Sequence, residues 1–218
     1  MKLFPAIVTL HLLGGLVLLA LLRAQSVAYR LGAPGSAGPV MLGAGQRLAI
    51  VAAFALLWLQ IALGGWVSTN YAVLACSEFP TCQGSWWPDM NFREGFALWR
   101  ELGTNRAGDA IAFPALTAIH YVHRLSAYAV FALLLALAWR LWRVPGLRGF
   151  SRGLLWLCAW QFVSGLTNVV LDWPLLAAVG HTGGAAALVI VFTGALAGTR
   201  SAVLAPSASL HLSRSAPR

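Results

Sequence analysis

Five apolar runs decide what this chain can become. They lie near Leu3–Leu22, Leu48–Ser68, Leu116–Leu141, Leu154–Leu171 and Leu175–Gly198. Each is close to the roughly 20 residues that a helix needs to cross a bilayer. In lipid every backbone N–H and C=O must be paired internally, so such runs cross as helices. A soluble helical bundle is the competing reading. Composition weighs against it: 10% of the 218 residues are charged and 59% hydrophobic, where a soluble domain carries about a quarter charged. The expected fold class is all-α, a polytopic transmembrane helical protein with five spans. Lys2 ahead of the first run resembles the start of a signal peptide. No small-residue cleavage site follows, and His11 and Gly14–Gly15 interrupt the run, so it reads as a retained helix.

The net charge of +9 raises nucleic-acid binding as a function. Its distribution points to topology instead. Arg23, Arg30 and Arg47 lie between runs one and two. Arg140, Arg143, Arg148 and Arg152 lie between runs three and four, and Arg200, Arg214 and Arg218 follow run five. Basic loops stay cytoplasmic. The six acids, Glu78, Asp89, Glu94, Glu101, Asp109 and Asp172, fall in or at the edge of the other compartment. The N-terminus is therefore expected outside and the C-terminus in the cytoplasm, with no nucleic-acid partner. The organisation expected is a first transmembrane helix over 1–23 and a cytoplasmic loop over 24–46. A four-helix transmembrane unit over 47–200 follows, with an outer loop at 69–115, and then a cytoplasmic tail over 201–218.

The outer loop carries "CSEFPTCQGSWWP", residues 76–88. An oxidising compartment favours disulfides, and Pro80 and Gly84 let the chain turn. A Cys76–Cys82 disulfide is expected, against two free thiols. Metal binding lacks a third His or Cys ligand nearby. Cys158, mid-span, reads as a small packing residue. Trp86, Trp87 and Trp99 suit the membrane–water interface. The segment "NFREGFALWREL", 91–102, spaces its apolar residues as a surface helix would. It is expected either to form a lid on the bundle or to be an ordered connecting loop.

His11, His123 and His181 each lie inside an apolar run that travels from outside to inside, about seven residues from its start. That places all three roughly 10 Å below the outer interface. Intramembrane ionisable groups are functional candidates by default; the alternative is a hydrogen bond between packed helices. Neutral imidazole is a common haem ligand, and facing helices can cage a porphyrin. His123 and His181 are the expected iron ligands. Gly183–Gly184, Ser126–Ala127, Gly64–Gly65 and Ser164–Gly165 offer small surfaces for a flat ring. Arg124 is expected to pair with a propionate, or else to snorkel to lipid headgroups. His120, three residues before His123, is a second ligand candidate or a supporting group. His211 lies in the polar tail with no chemical role expected.

Run one, "PAIVTLHLLGG", and run five, "PLLAAVGHTGG", repeat a pattern of Pro, apolar residues, His and a Gly pair. Run one then reads as the last helix of one unit, and runs two to five as a complete four-helix unit. The stretches "QIALGGWVSTNYAVLACSEFPTCQGSWWP", "AIHYVHRLSAY", "HTGGAAALVIVF" and "VTLHLLGG" resemble the haem A synthase family and cover most of the chain. The resemblance implies an eight-span protein of two similar four-helix halves. One half holds a bis-histidine haem b. The other takes haem o, whose methyl group is oxidised to the formyl group of haem A for terminal oxidases. By that resemblance His123 and His181 match the haem b ligands, Cys76 and Cys82 the outer-loop cysteine pair, and His11 the substrate-side histidine.

The resemblance reaches spans four to eight. The first-half Glu-x-x-His-Arg motif has no counterpart, and "HYVHR" puts His120 where its Glu would stand. The chain is thus expected to be a fragment, a mis-called start or part of a split protein, with little or no synthase activity alone. The function expected is that of the haem b-binding half of a haem A synthase-like oxidoreductase in a bacterial-type inner membrane. Its partners would be lipid, haem o or haem A, and an N-terminal half or a second copy. The alternative is a bis-histidine electron-transfer or assembly protein without substrate chemistry of its own.

Overall fold

The structure, a computed structural model, describes residues 3–201. Lys2, His211, Arg214 and Arg218 lie outside the described residues. Five long helices make up the bundle: α1 (Pro5–Leu31), α2 (Ala44–Thr69), α4 (Phe113–Leu141), α5 (Arg148–Val170) and α6 (Leu175–Ala197). A short helix, α3 (Phe92–Gly95), lies in the long loop before α4. All five long helices are long and apolar enough to cross a membrane. Their outer faces expose Leu18, Leu22, Leu59 and Trp156, as lipid-facing surfaces do. The protein is an all-α, multi-pass membrane protein.

Local chemistry sets the helix ends. Pro5 opens α1 and Pro114 opens α4, where a missing N–H is tolerated. The Gln46 side chain accepts the Gly43 N–H at 3.0 Å and caps α2. The apolar run of α1 stops at Leu22, yet the helix continues to Leu31. Ala24, Gln25 and Arg30 favour helix without needing burial, so much of the connector to α2 is helical. The turn from α5 to α6 holds Asp172 and Trp173 at φ 54° and 62°. A bulky side chain in that left-handed region carries strain on the order of 1–3 kcal/mol. Packing holds it there: the Trp173 N–H donates to Asn168 O at 3.0 Å, and its ring meets Tyr71 edge-on at 5.9 Å. Tyr71, just after α2, is itself left-handed at φ 54°.

The arginine-bearing end of the bundle is densely packed. Ile50, Ala53, Leu134, Leu141, Leu154 and Phe192 form its buried core, and Phe54 stacks on Phe192 at 5.4 Å. Below it two short parallel strands, β1 (Val40–Leu42) and β2 (Thr199–Ser201), pair Val40 with Thr199. Arg47 donates to Leu196 O, Thr199 O and Thr199 Oγ1 at 3.3, 2.8 and 3.1 Å. A cation there complements the negative end of α6.

The opposite end carries the loop. Its 91–102 stretch is helical only over α3, so the extended surface helix is not formed. The cause is competition for its backbone. Trp66 Nε1 donates to Gly95 O at 3.0 Å, and the Leu102 N–H donates to Leu3 O at 2.8 Å. Asn91 caps the single turn by accepting the Glu94 N–H at 3.1 Å. Arg100 is buried, bonded to Asn70 Oδ1 at 2.5 Å and to Thr104 O at 3.2 Å. Burial lowers its pKa from the ordinary value, with the Glu94 carboxylate opposing. Trp86, Trp87 and Trp99 are exposed at this end.

Candidate functional site

The helices that pack tightly at one end diverge at the other around a cavity of about 650 Å³. That size falls within the range of small-molecule and cofactor sites, about 300–1,000 Å³. Residues of α2, α4, α5 and α6 form its walls, and Leu12 and Leu16 of α1 close one side. His120, His123, Arg124 and His181 all line it. The structure therefore brings together the two ligand candidates and the arginine beside them. His11 does not join them: it is exposed on α1, away from the cavity. His123 lies ten residues into α4, and His181 six into α6. The difference arises because α4 begins at Phe113, three residues before its apolar run.

Each imidazole is held on one edge by the neighbouring helix. Gln60 Nε2 lies 3.0 Å from His123 Nδ1 and donates to His123 O at 3.1 Å. Ser164 Oγ lies 3.0 Å from His181 Nδ1. The Gln161 amide, with its nitrogen turned to His181, donates to His181 O at 2.9 Å and accepts the Ala185 N–H at 3.2 Å. Among the described residues no hydrogen bond engages Nε2 of either ring. Glycine makes room for both. A Cβ on Gly64 would stand 2.9 Å from His123 Cε1, and one on Gly165 would stand 3.1 Å from His181 Cε1.

The loop supplies the cover. Cys76 and Cys82 are joined as a disulfide, Cα–Cα 4.9 Å, and both are fully buried. Phe79, Pro80 and Thr81 lie within that ring. Arg124 Nη1 donates to Thr81 O at 2.9 Å and Pro80 O at 3.4 Å, and its guanidinium sits 5.9 Å from the Phe79 ring centre. Arg124 is 7% exposed, so it does not snorkel to the lipid boundary. Its Nη2 is buried with no hydrogen-bond partner. An orphaned guanidinium N–H in a cavity is costly unless an anion or other acceptor completes it. Tyr121 donates to Trp86 O and Gln83 Nε2 donates to Thr117 Oγ1 at 2.8 Å, fastening the loop to α4, while Glu78 Oε1 accepts the Gly84 N–H within the loop.

The remaining candidates divide. His120 Nδ1 donates to Ala72 O at 3.1 Å, and the residue lines the cavity. Cys158 is free, buried and packed. Gly183 lines the cavity with open space at its Cβ position. Gly184 does not offer the flat surface expected of it: Trp160 and Gln161 cover it, with a Cβ position 2.6 Å from Trp160 Cδ1.

Sequence reasoning passed over Gln60, Gln161 and Asn168, whose Oδ1 is buried in the cavity wall without a partner. A signal existed. "QIALG" on α2 and "QFVSG" on α5 repeat Gln-x3-Gly in apolar surroundings, and intramembrane amides are expensive enough to merit suspicion.

Two comparisons bear on identity. The COX15-CtaA family, described as a cytochrome oxidase assembly protein, matches residues 1–193. The protein named heme A synthase from Shewanella oneidensis is 36% identical over 197 residues, covering 87% of this chain and 57% of its own length. The chain thus spans little more than half the length of that relative. The matched region contains the whole cavity, His123, His181 and the disulfide loop, and it places this chain in the cytochrome oxidase assembly protein family to which heme A synthase belongs.

Proposed function

We propose that this chain is the haem b-holding part of a haem A synthase-like membrane oxidoreductase, one that turns haem o into haem A for terminal oxidases. One observation carries the reading: His123 and His181, on separate helices, line one cavity with Nε2 of each unbonded. The residues present fit a haem. Two imidazoles suit low-spin iron, Gly64 and Gly165 leave room for their rings, and Arg124 Nη2 lacks the acceptor that a propionate would provide. When bound, the haem would supply one-electron iron chemistry.

The chain's own residues do the holding. His123 and His181 would ligate from α4 and α6, and Arg124 would clamp a carboxylate while the disulfide loop fixes its other nitrogen. The apolar walls and the Phe79 cover exclude water. Haem o would bind elsewhere, on the side of α1 that displays His11, where further chain or a second copy would complete a site. In the orientation proposed the loop faces outside and the arginines face the cytoplasm of a bacterial-type inner membrane.

The test is an absorption spectrum of the purified chain in detergent, oxidised and then reduced with dithionite. Sharp low-spin b-type bands, lost in His123→Ala or His181→Ala, are expected. A chain that takes up no haem under ample supply contradicts the reading. The exposure of His11 favours a second reading, an electron-transfer or assembly protein without its own substrate chemistry. Co-expression with a separate three-helix segment separates the two: restored haem A supports the synthase.

A further inference from the structure

We propose that Gln60 on α2 and the Gln161–Ser164 pair on α5 are positioning residues for the two imidazoles, and that they make His181 the stronger iron ligand and His123 the weaker. The inference rests on the reading that a haem occupies this cavity.

The carrying observation is a doubled device. In the pair α2–α4, Gln60 lies one turn before Gly64 and reaches His123 on the returning helix. In the pair α5–α6, Gln161 lies one turn before Gly165 and reaches His181. Both amides address the same two atoms, the histidine's carbonyl oxygen and Nδ1. Both glycines meet the same ring atom, Cε1. The two hairpins therefore present Nε2 to one cavity by the same means.

One of the differences between them bears on Nδ1. The residue before the glycine is Ser164 in the second hairpin and Leu63 in the first. Ligation through Nε2 leaves the hydrogen on Nδ1, and an acceptor there orients the ring and raises its basicity. Ser164 is such an acceptor. Its own hydrogen goes to Trp160 O at 2.7 Å, so towards His181 Nδ1 its oxygen accepts. His181 is held ready to ligate. His123 has only the Gln60 amide, whose nitrogen faces Nδ1 while Oε1 is buried without a partner. To accept the Nδ1 hydrogen, that amide must turn over. The Gln161 nitrogen also lies 3.2 Å from His181 Nδ1, but Ser164 already offers an acceptor there at 3.0 Å, whereas His123 has no acceptor until the Gln60 amide turns.

The experiment compares haem retention and spin state in the full chain carrying single substitutions. With His123→Ala, haem is expected to stay on His181 as a five-coordinate, high-spin form. With His181→Ala, retention should fall about tenfold or more below that, within the 10–100-fold typical of ligand support. Gln60→Ala should convert low-spin haem partly to high-spin. Gln60→Glu, which keeps an acceptor, and Leu63→Ser, which adds one, should restore or strengthen the low-spin form. Equal or reversed retention in the two histidine variants overturns the inequality. Gln60→Glu no better than Gln60→Ala overturns the hydrogen-bond role and leaves packing as the explanation. In both of those outcomes wild-type haem binding still stands. A wild-type chain without haem removes the functional reading and this inference together.

Discussion

At the scale of residues, the site depends on what is missing as much as on what is present. Gly64→Ala puts a methyl 2.9 Å from the His123 ring, and Gly165→Ala puts one 3.1 Å from the His181 ring. Neither ring can retreat without leaving its Nδ1 partner. We expect Gly64→Ala to reduce bound haem per chain about tenfold, with Gly165→Ala milder; the ratio of haem absorbance to protein in the purified sample measures both. The histidines and Arg124 were legible because an ionisable group in an apolar run is conspicuous. Gln60 and Gln161 were not, although their bonds set the ring orientation. A neutral amide disturbs hydropathy little, and its role appears only when the partner helix is known. Gly184 shows the converse: its spacing from His181 suggested open space, but Trp160 from α5 lies across it.

At the scale of elements, the disulfide loop works as a clasp. The ring between Cys76 and Cys82 holds the carbonyls of Pro80 and Thr81 against Arg124. Replacing both cysteines by serine should lower stability by about 2 kcal/mol, the value for a short closed loop, and should loosen Arg124 as well. Thermal unfolding in detergent gives the first effect. A lowered haem affinity in the still-folded protein gives the second, and unchanged affinity would show that Arg124 does not need the clasp. The five long helices could be read from the apolar runs to within a few residues at most ends. The exceptions, the far end of α1 and the start of α5 at Arg148, have no hydrophobic signal because they extend beyond the apolar zone. The 91–102 stretch failed as a helix for a different reason. Its periodicity was real, but Trp66 and Leu3 take backbone groups that a longer helix would need. Periodicity describes a preference, and tertiary bonds decide whether it is kept.

At the scale of the whole molecule, charge asymmetry sets an expectation that packing alone cannot. Among the described residues eight arginines flank one end of the spans and the acids gather at the other. A periplasm-inactive, cytoplasm-active reporter fused after Arg218 is expected to be active, and its converse silent; the opposite result reverses the orientation. The bundle's five apolar helices were legible in the sequence. Its finer plan, two like hairpins, was hidden because the repeat is carried by five residues on each side. That finer plan gives residues 142–147, the connector from α4 to α5, a role as a tether. Neither donor set needs the tether for its own geometry. What it provides is proximity, at the millimolar effective concentration of a short linker. On the proposed haem-binding reading the bundle would act as a bivalent chelator, and its grip on the haem would owe as much to avidity as to either histidine alone.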